Sequence, residues 1–213
     1  IVEELKKNSQ QKNYLNVSGL IELRNLVAQY HTIKNKNNYT ADNVIIGPGS
    51  KELIFHTQLV LDCDVLLPSP SWVSYEPQAQ ILNKKIHWIK TDATTNWHIT
   101  PDDLDKISQN LHQVEKLLIL NSPNNPSGTT HNNLEALALI AKKNNIIVLS
   151  DEIYAELDFS GKYKSISHYY PEGTIISSGL SKWCGSGGWR IGSLTFPQEL
   201  KIIKNMVRNV ASE

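Results

Sequence analysis

Short apolar runs rich in Val and Ile alternate with amphipathic stretches along the chain, and this alternation constrains the fold more than any other feature. The apolar runs lie at 43–47, 64–68, 85–90, 116–121, 145–151 and 174–179, and the amphipathic stretches at 19–34, 50–62, 101–112 and 131–144. Such runs are typical of buried strands, and such stretches of helices. The order predicts an α/β fold, a three-layer αβα domain with a mainly parallel central sheet.

Length and composition fit one continuous domain. The chain has 213 residues, of which 40% are hydrophobic, and this is enough to bury a sizeable core. Neither an internal repeat nor a low-complexity linker divides it. A further helix is expected after Pro197, and because it runs to the last residues without a closing element, we expect more chain to follow.

Charge and composition exclude several kinds of partner. Lys and Arg total 21, as do Asp and Glu, so no basic excess favours nucleic acid. No window approaches the roughly 18 apolar residues of a membrane span. Two cysteines, Cys63 and Cys184, are too few for a disulfide framework and predict reduced thiols in a cytoplasmic protein. The seven histidines show no metal-ligand spacing, so no metal site is predicted.

Polar segments follow the predicted strands. They are "GPGSK", "PSPSW", "NSPNNPSG", "DEIY" and "SGLSK". In open parallel α/β sheets, ligands bind beyond the carboxyl ends of the strands, where helix N-termini expose free N–H groups. We therefore expect the functional side chains at this edge of the sheet.

Taken singly, the residues of the first and fourth segments have two interpretations. Gly49, Ser50 and Lys51 suit either a phosphate bound at a helix N-terminus or an ordinary helix start. Asp151 ends a strongly apolar strand, where a carboxylate is either a helix cap or the buried partner of a cation. Tyr154 follows three residues later, within reach of the same place.

The other candidates are equally ambiguous alone. Asn125 lies in a turn-forming stretch, where its amide either stabilises the turn or binds a ligand oxygen. Trp72 either packs in the core or stacks on a ligand. Lys182 follows Ser181 and precedes a glycine-rich run, so it is either a solvated charge or a reactive amine.

Together these groups match the requirements of one cofactor, pyridoxal 5'-phosphate. It needs a lysine that forms an imine with its aldehyde, a carboxylate for the pyridinium nitrogen, and a phenol and an amide for the ring hydroxyl. It also needs an aromatic side chain against the ring and anchors for the phosphate. The chain offers each of these groups after a predicted strand.

The motifs also occur in the order of one family, the class I/II aminotransferases, which are fold-type I pyridoxal-phosphate enzymes. The chain resembles this family in "YLNVSGLIELR" at 14–24, then in "GPGSKELIF", "PSPSWVSYEPQA", "NSPNNPSGTT", "SDEIYAEL" and "SKWCGSGGWRIG". The resemblance covers nearly the whole chain. It implies that residues 1–213 are the cofactor-binding large domain, with the family's N-terminal segment and C-terminal small domain outside this stretch.

The resemblance implies catalytic roles for Lys182, Asp151 and Tyr154. Lys182 would form the internal aldimine and later move the α-proton of the substrate, and Asp151 would keep the pyridine nitrogen protonated. Tyr154 and Asn125 would hydrogen-bond the phenolic oxygen of the ring, and Trp72 would stack on it.

The remaining implied contacts concern the phosphate. Arg190 would grip it with a planar fork of donors, and the helix start at Gly49, Ser50 and Lys51 would contribute backbone N–H groups. The hydroxyls of Ser178 and Ser181 would add to these. Tyr14 would reach the phosphate in a neighbouring subunit, which implies a homodimer.

Two departures from the family pattern lie beside the lysine. Gly179 replaces the serine that family members often carry three residues before it, and Trp183 and Cys184 replace smaller residues after it. The resemblance nevertheless implies an aminotransferase that moves an amino group from an L-amino acid to a 2-oxo acid. Two alternatives stay open: a C–S lyase or other carbanion chemistry on the same fold, and a non-catalytic sensor domain of a transcription regulator.

Overall fold

The computed structural model describes residues 2–111 and 115–211, so residue 112 of the predicted helix 101–112 lies outside the described residues. Within these ranges the strands are β1 (Val44–Gly47), β2 (Asp64–Ser69), β3 (Ile86–Lys90), β4 (Lys116–Asn121), β5 (Ile146–Asp151), β6 (Thr174–Gly179) and β7 (Gly192–Thr195). The α-helices there are α1 (Val2–Asn8), α2 (Ile21–Asn35), α3 (Ser50–Val60), α4 (Tyr75–Ile81), α5 (Pro101–Gln109), α6 (Leu134–Lys143) and α7 (Lys201–Val210).

The described strands form one sheet in the order β1-β7-β6-β5-β4-β2-β3. Strands β3, β2, β4, β5 and β6 pair in parallel, and β7 runs antiparallel to both β6 and β1. The prediction of an α/β fold with a mainly parallel sheet is therefore confirmed. All six predicted strands are present with ends within one residue of the expected ones, whereas β7, α1 and α4 were not predicted.

Helices cover both faces of the sheet because successive strand residues point to opposite sides. Val65 and Leu67 of β2 pack in one core with Leu53 of α3, while Leu66 between them packs on the other face with Leu104 of α5. The helices α3, α4 and α7 lie on the first face, and α2, α5 and α6 on the second. Within the described ranges, no helix is long and apolar enough to cross a membrane.

Helix α2 covers the β1–β6 end of the second face less tightly. Ala28 packs there against Val44 and Ile176 in a small core of its own. Beyond this core, an apolar groove runs between α2 and the ends of β6 and β7, with Leu26 and Trp183 in its walls. We call this the α2 groove.

Two paired glycines bring the end of β6, the start of β7 and the start of α3 close together. Gly179 and Gly192 are register partners in the antiparallel β6–β7 pair. A Cβ atom on Gly192 would lie 2.3 Å from the backbone nitrogen of Ser50, and one on Gly179 would lie 2.8 Å from the carbonyl oxygen of Ile191. The absence of a side chain at Gly192 therefore allows the N-terminus of α3 to lie against β7, and its absence at Gly179 allows the start of β7 to lie against the end of β6, which leads to Lys182.

Replacing Gly192 with alanine tests this packing. Because the added methyl group would overlap the backbone of α3, we expect Gly192→Ala to lower the free energy of unfolding by about 1–3 kcal/mol. Gly188→Ala is the control, since a Cβ there meets no atom within 4 Å. Urea unfolding of both variants measures the difference, and equal stability of the two would contradict the close approach.

Candidate active site

The polar segments that follow the strands form one cleft at the carboxyl edge of the sheet. Its lining residues are Ser50, Lys51, Trp72, Tyr75, Asn121, Asn125, Asp151, Ile153, Tyr154, Ser181, Lys182, Gly187 and Arg190. The structure therefore brings together most of the residues that the sequence singled out. Tyr75 and Asn121 are new members of the set.

Lys182 lies in a loop that is fastened to the end of β6 on both sides. The hydroxyl of Ser186 donates to the carbonyl oxygen of Leu180 at 2.7 Å, and the indole N–H of Trp183 donates to that of Gly179 at 3.1 Å. Trp183 thus has a structural contact that a smaller residue would lack, and its ring faces the α2 groove. These bonds hold the backbone on either side of Lys182 while its side chain enters the cleft.

Asp151 lies at the base of the cleft, with 2% of its surface exposed. The phenol of Tyr75 donates to its Oδ2 atom at 2.6 Å, and the N–H of Ile153 donates to Oδ1 at 3.3 Å. Burial raises the pKa of Asp151 to about 6, and the bond from Tyr75 and the charge of Lys182 oppose this rise. The carboxylate is therefore ionised at neutral pH, as a negative charge buried next to the cleft.

Sequence reasoning missed Tyr75, although a signal was present. Tyr75 follows Trp72 by three residues and begins α4, and the two rings meet edge to face with centroids 5.3 Å apart. An aromatic pair at this spacing directly after a strand indicates two side chains directed at one site. Trp72 forms a wall of the cleft, and the Lys51 ammonium lies 5.8 Å from its ring centroid.

A second group of side chains lies beside Asp151. The amide of Asn125 donates to the phenol oxygen of Tyr154 at 3.4 Å, and the Lys182 ammonium lies 5.5 Å from the Tyr154 ring centroid.

Sequence reasoning also missed Asn121. This residue ends β4 as Asp151 ends β5, and the two are register partners. A polar residue at the end of a buried strand was the available signal.

The opposite end of the cleft suits an anion. Helix α3 starts at Ser50 after Gly49 (φ 99°), and the first N–H groups of a helix have no partner within it. A Cβ on Gly49 would lie 2.1 Å from Nη2 of Arg190, so the guanidinium lies directly against this glycine. Arg190 also donates from Nη1 to the carbonyl of Gly187 at 2.7 Å. Helix terminus and guanidinium together make a positive site.

Two predicted ligands lie elsewhere. The Ser178 hydroxyl is 2.9 Å from that of Ser193 and 3.3 Å from Nε2 of His31, and it faces the α2 groove instead of the cleft. The structure gives no support for Ser178 as a phosphate ligand. Tyr14 is fully exposed and does not line the cleft, so its contact with a neighbouring subunit stays a prediction.

The buried charge of Asp151 predicts a pH-dependent stability. The pKa of Asp151 is about 6 in the folded state and the ordinary 3.8 in the unfolded state, so between these values the folded state binds more protons. Rising pH therefore lowers the free energy of unfolding over this range. Above about pH 6 the carboxylate is ionised in both states and the loss is complete. We expect Asp151→Asn to raise the free energy of unfolding of the ligand-free protein by about 1–3 kcal/mol at pH 7 and hardly at all near pH 4. Denaturation by urea at both pH values measures this.

The exposed carboxylate of Asp62 supplies the control. Asp62→Asn should change the stability by less than about 0.5 kcal/mol at either pH. A loss of stability in Asp151→Asn at pH 7 would mean that the carboxylate is stabilised, not strained, by its surroundings.

Comparison with known proteins agrees with this geometry. The model of the family described as aminotransferase class I and II matches residues 1–213. The aspartate aminotransferase of Bacillus subtilis (strain 168) is 31% identical over 214 residues, which is 96% of this chain and 53% of that protein. A probable N-acetyl-LL-diaminopimelate aminotransferase of the same strain is 34% identical over 194 residues, 88% of this chain and 48% of the relative.

The fold is likewise similar to solved structures. The aspartate aminotransferase from Thermus thermophilus with maleate superposes with a TM-score of 0.90 at 28% identity, covering 99% of this chain and 56% of that one. The chain thus spans about half the length of the relatives it matches. From the match over its whole length, together with the cleft described above, the chain belongs to the class I and II aminotransferase family.

Proposed function

We propose that the protein is a pyridoxal-phosphate-dependent aminotransferase that moves an amino group from an L-amino acid to a 2-oxo acid. The observation that carries this proposal is the shared cleft of Lys182 and Asp151, a free amine beside a buried carboxylate. At the other end of the cleft lies the positive site formed by α3 and Arg190.

The donor set of the cleft fits the proposed cofactor. The start of α3 and Arg190 would bind its phosphate, with the Ser50 and Ser181 hydroxyls nearby. Asp151, ionised at neutral pH, would hold the proton on the ring nitrogen. The space that Gly49 leaves for the guanidinium supports this assignment, because any side chain there would displace Arg190.

The ring would be held by the remaining residues. Tyr154 and Asn125, which already contact each other, would bind its hydroxyl, and Trp72 would lie against its face. When bound, the cofactor supplies an aldehyde that condenses with amines and a ring that accepts the electron pair of the broken C–H bond. Lys182 would take the α-proton from the substrate and return a proton within the same half-reaction.

Substrates and assembly follow from the same proposal. An L-amino acid and a 2-oxo acid would be the partners, and the whole site would belong to a protein about twice the length of this chain. The full exposure of Tyr14 supports a homodimer in which it reaches the neighbouring cofactor. Cys63 and Cys184 are both free thiols, in agreement with the cytoplasmic location expected from the sequence.

The amine of Lys182 is tested by its removal. We expect Lys182→Ala to bind the cofactor but to lose at least about 1,000-fold in the rate of amino transfer, because no other amine replaces the base. Production of 2-oxo acid from a panel of L-amino acids, with a 2-oxo acid as acceptor, measures the rate.

Lys51→Ala is the matched control, since it removes an ammonium from the same cleft without removing the proposed base. It should retain transfer within about tenfold. Amino transfer at the wild-type rate by Lys182→Ala would contradict the proposed function. Release of ammonia by the wild-type protein without an acceptor would instead identify a lyase. Cofactor binding by the wild-type protein without any turnover would identify a sensor domain.

A further inference from the structure

The side chain of Asn121 makes two hydrogen bonds that join different parts of the cleft. Its Nδ2 donates to the backbone carbonyl of Asp151 at 2.8 Å, and its Oδ1 accepts from the backbone N–H of Asn125 at 2.7 Å. A carbonyl only accepts and an N–H only donates, so these partners fix which end of the amide carries the oxygen. The amide is therefore a bridge with a defined direction.

This bridge lies at the end of the backbone hydrogen bonding between β4 and β5. Asn121 and Asp151 are the last register partners of β4 and β5. The next residue, Ser122, still donates its N–H to the Asp151 carbonyl at 3.3 Å, after which the chain turns away toward Asn125. Beyond that point, the Asn121 side chain continues the contact that the backbone ladder no longer provides.

On the side of Asn121 away from the cleft there is little room for water to replace the bridge. Asn121 is 9% exposed. On the side away from the cleft it lines a cavity of about 10 Å³ together with Trp97, His98 and His131, at the lower limit for one water molecule. Removing the amide would leave the carbonyl of buried Asp151 with one donor fewer and the N–H of half-buried Asn125 without this acceptor.

Both ends of the bridge carry a group of the proposed cofactor site. At one end, the Asp151 carboxylate is fixed by Tyr75. At the other end, the Asn125 side chain reaches the phenol of Tyr154. The bridge therefore joins the segment that carries the group for the ring nitrogen to the segment that carries Asn125, one of the two groups for the ring hydroxyl.

We propose that Asn121 is a positioning residue that holds Asn125 in register with Asp151, so that the cleft recognises the ring hydroxyl and the ring nitrogen of one cofactor simultaneously. This inference rests on the proposed function. It differs from a purely structural role in one respect. A residue that only stabilises the fold would affect all ring compounds equally, whereas Asn121 affects recognition of the ring hydroxyl in particular.

The test compares pyridoxal 5'-phosphate with its 3-deoxy analogue, which lacks the ring hydroxyl. We expect the wild-type protein to bind the natural cofactor more tightly than the analogue, with about tenfold of this preference contributed by the hydrogen bond from Asn125. In Asn121→Ala the affinity for the cofactor should fall about tenfold and that for the analogue should stay within about twofold, so that the preference for the ring hydroxyl falls about tenfold while the contribution of Tyr154 remains. Equilibrium titration of the purified protein measures all four values.

Two further variants separate positioning from stability. Asn121→Ser keeps a polar group at this position but is one atom shorter than the amide and cannot bridge both partners, so it should show the same loss of preference even if Asn121→Ala fails to fold. Asn124→Ala is the control in the same loop. It removes a 2.8 Å bond to Ser127 and does not line the cleft, so the preference should persist.

The outcomes distinguish the two proposals. A preference in Asn121→Ala or Asn121→Ser equal to that of the wild-type protein would overturn the role of Asn121 and leave the proposed function intact. A wild-type protein that binds the cofactor without preference for the ring hydroxyl would do the same. A wild-type protein that binds neither compound would overturn the proposed function itself.

Discussion

The rest of the site depends on the burial of the Asp151 carboxylate. A charge with 2% exposure is costly unless its surroundings compensate, and burial accordingly raises its pKa to about 6. Tyr75, Ile153 and the nearby Lys182 together keep it ionised near neutral pH. Because Asp151 ends a strand with neighbours on both sides, the sheet itself supplies the burial.

The cleft carries opposite charges at two places. Its negative charge lies at the end of β5, and its positive site lies where α3 begins against Arg190. Gly49 and Gly192 make this second site possible, because any side chain at either position would enter space that the guanidinium or the α3 backbone occupies. A ligand with a cationic ring and an anionic tail is oriented by this field before any specific hydrogen bond forms.

The fold and most cleft residues follow from the sequence, and the failures have identifiable causes. The apolar runs predict the strands because the central ones, β2, β4, β5 and β6, are largely buried on both faces. The four-residue β7 contains too few apolar positions to be recognised. Ser178 and Ser181 are close in sequence, yet only Ser181 lines the cleft. Ser178 lies two residues after Ile176, which packs toward α2, and the strand pleat directs both side chains to that face. Tyr75 and Asn121 lie within recognised motifs, but their contacts with Asp151 join different segments and could not be predicted from either motif alone.

In the proposed function, the amine of Lys182 is the group that reacts with the cofactor in this cleft. The most direct measurement is mass spectrometry of peptides after the protein is incubated with pyridoxal 5'-phosphate and reduced with borohydride, which captures the carbon–nitrogen bond. The proposed function predicts one modified residue, Lys182, in the segment that follows β6. An unmodified protein, or a modification on Lys51 or on a lysine outside the cleft, would contradict it.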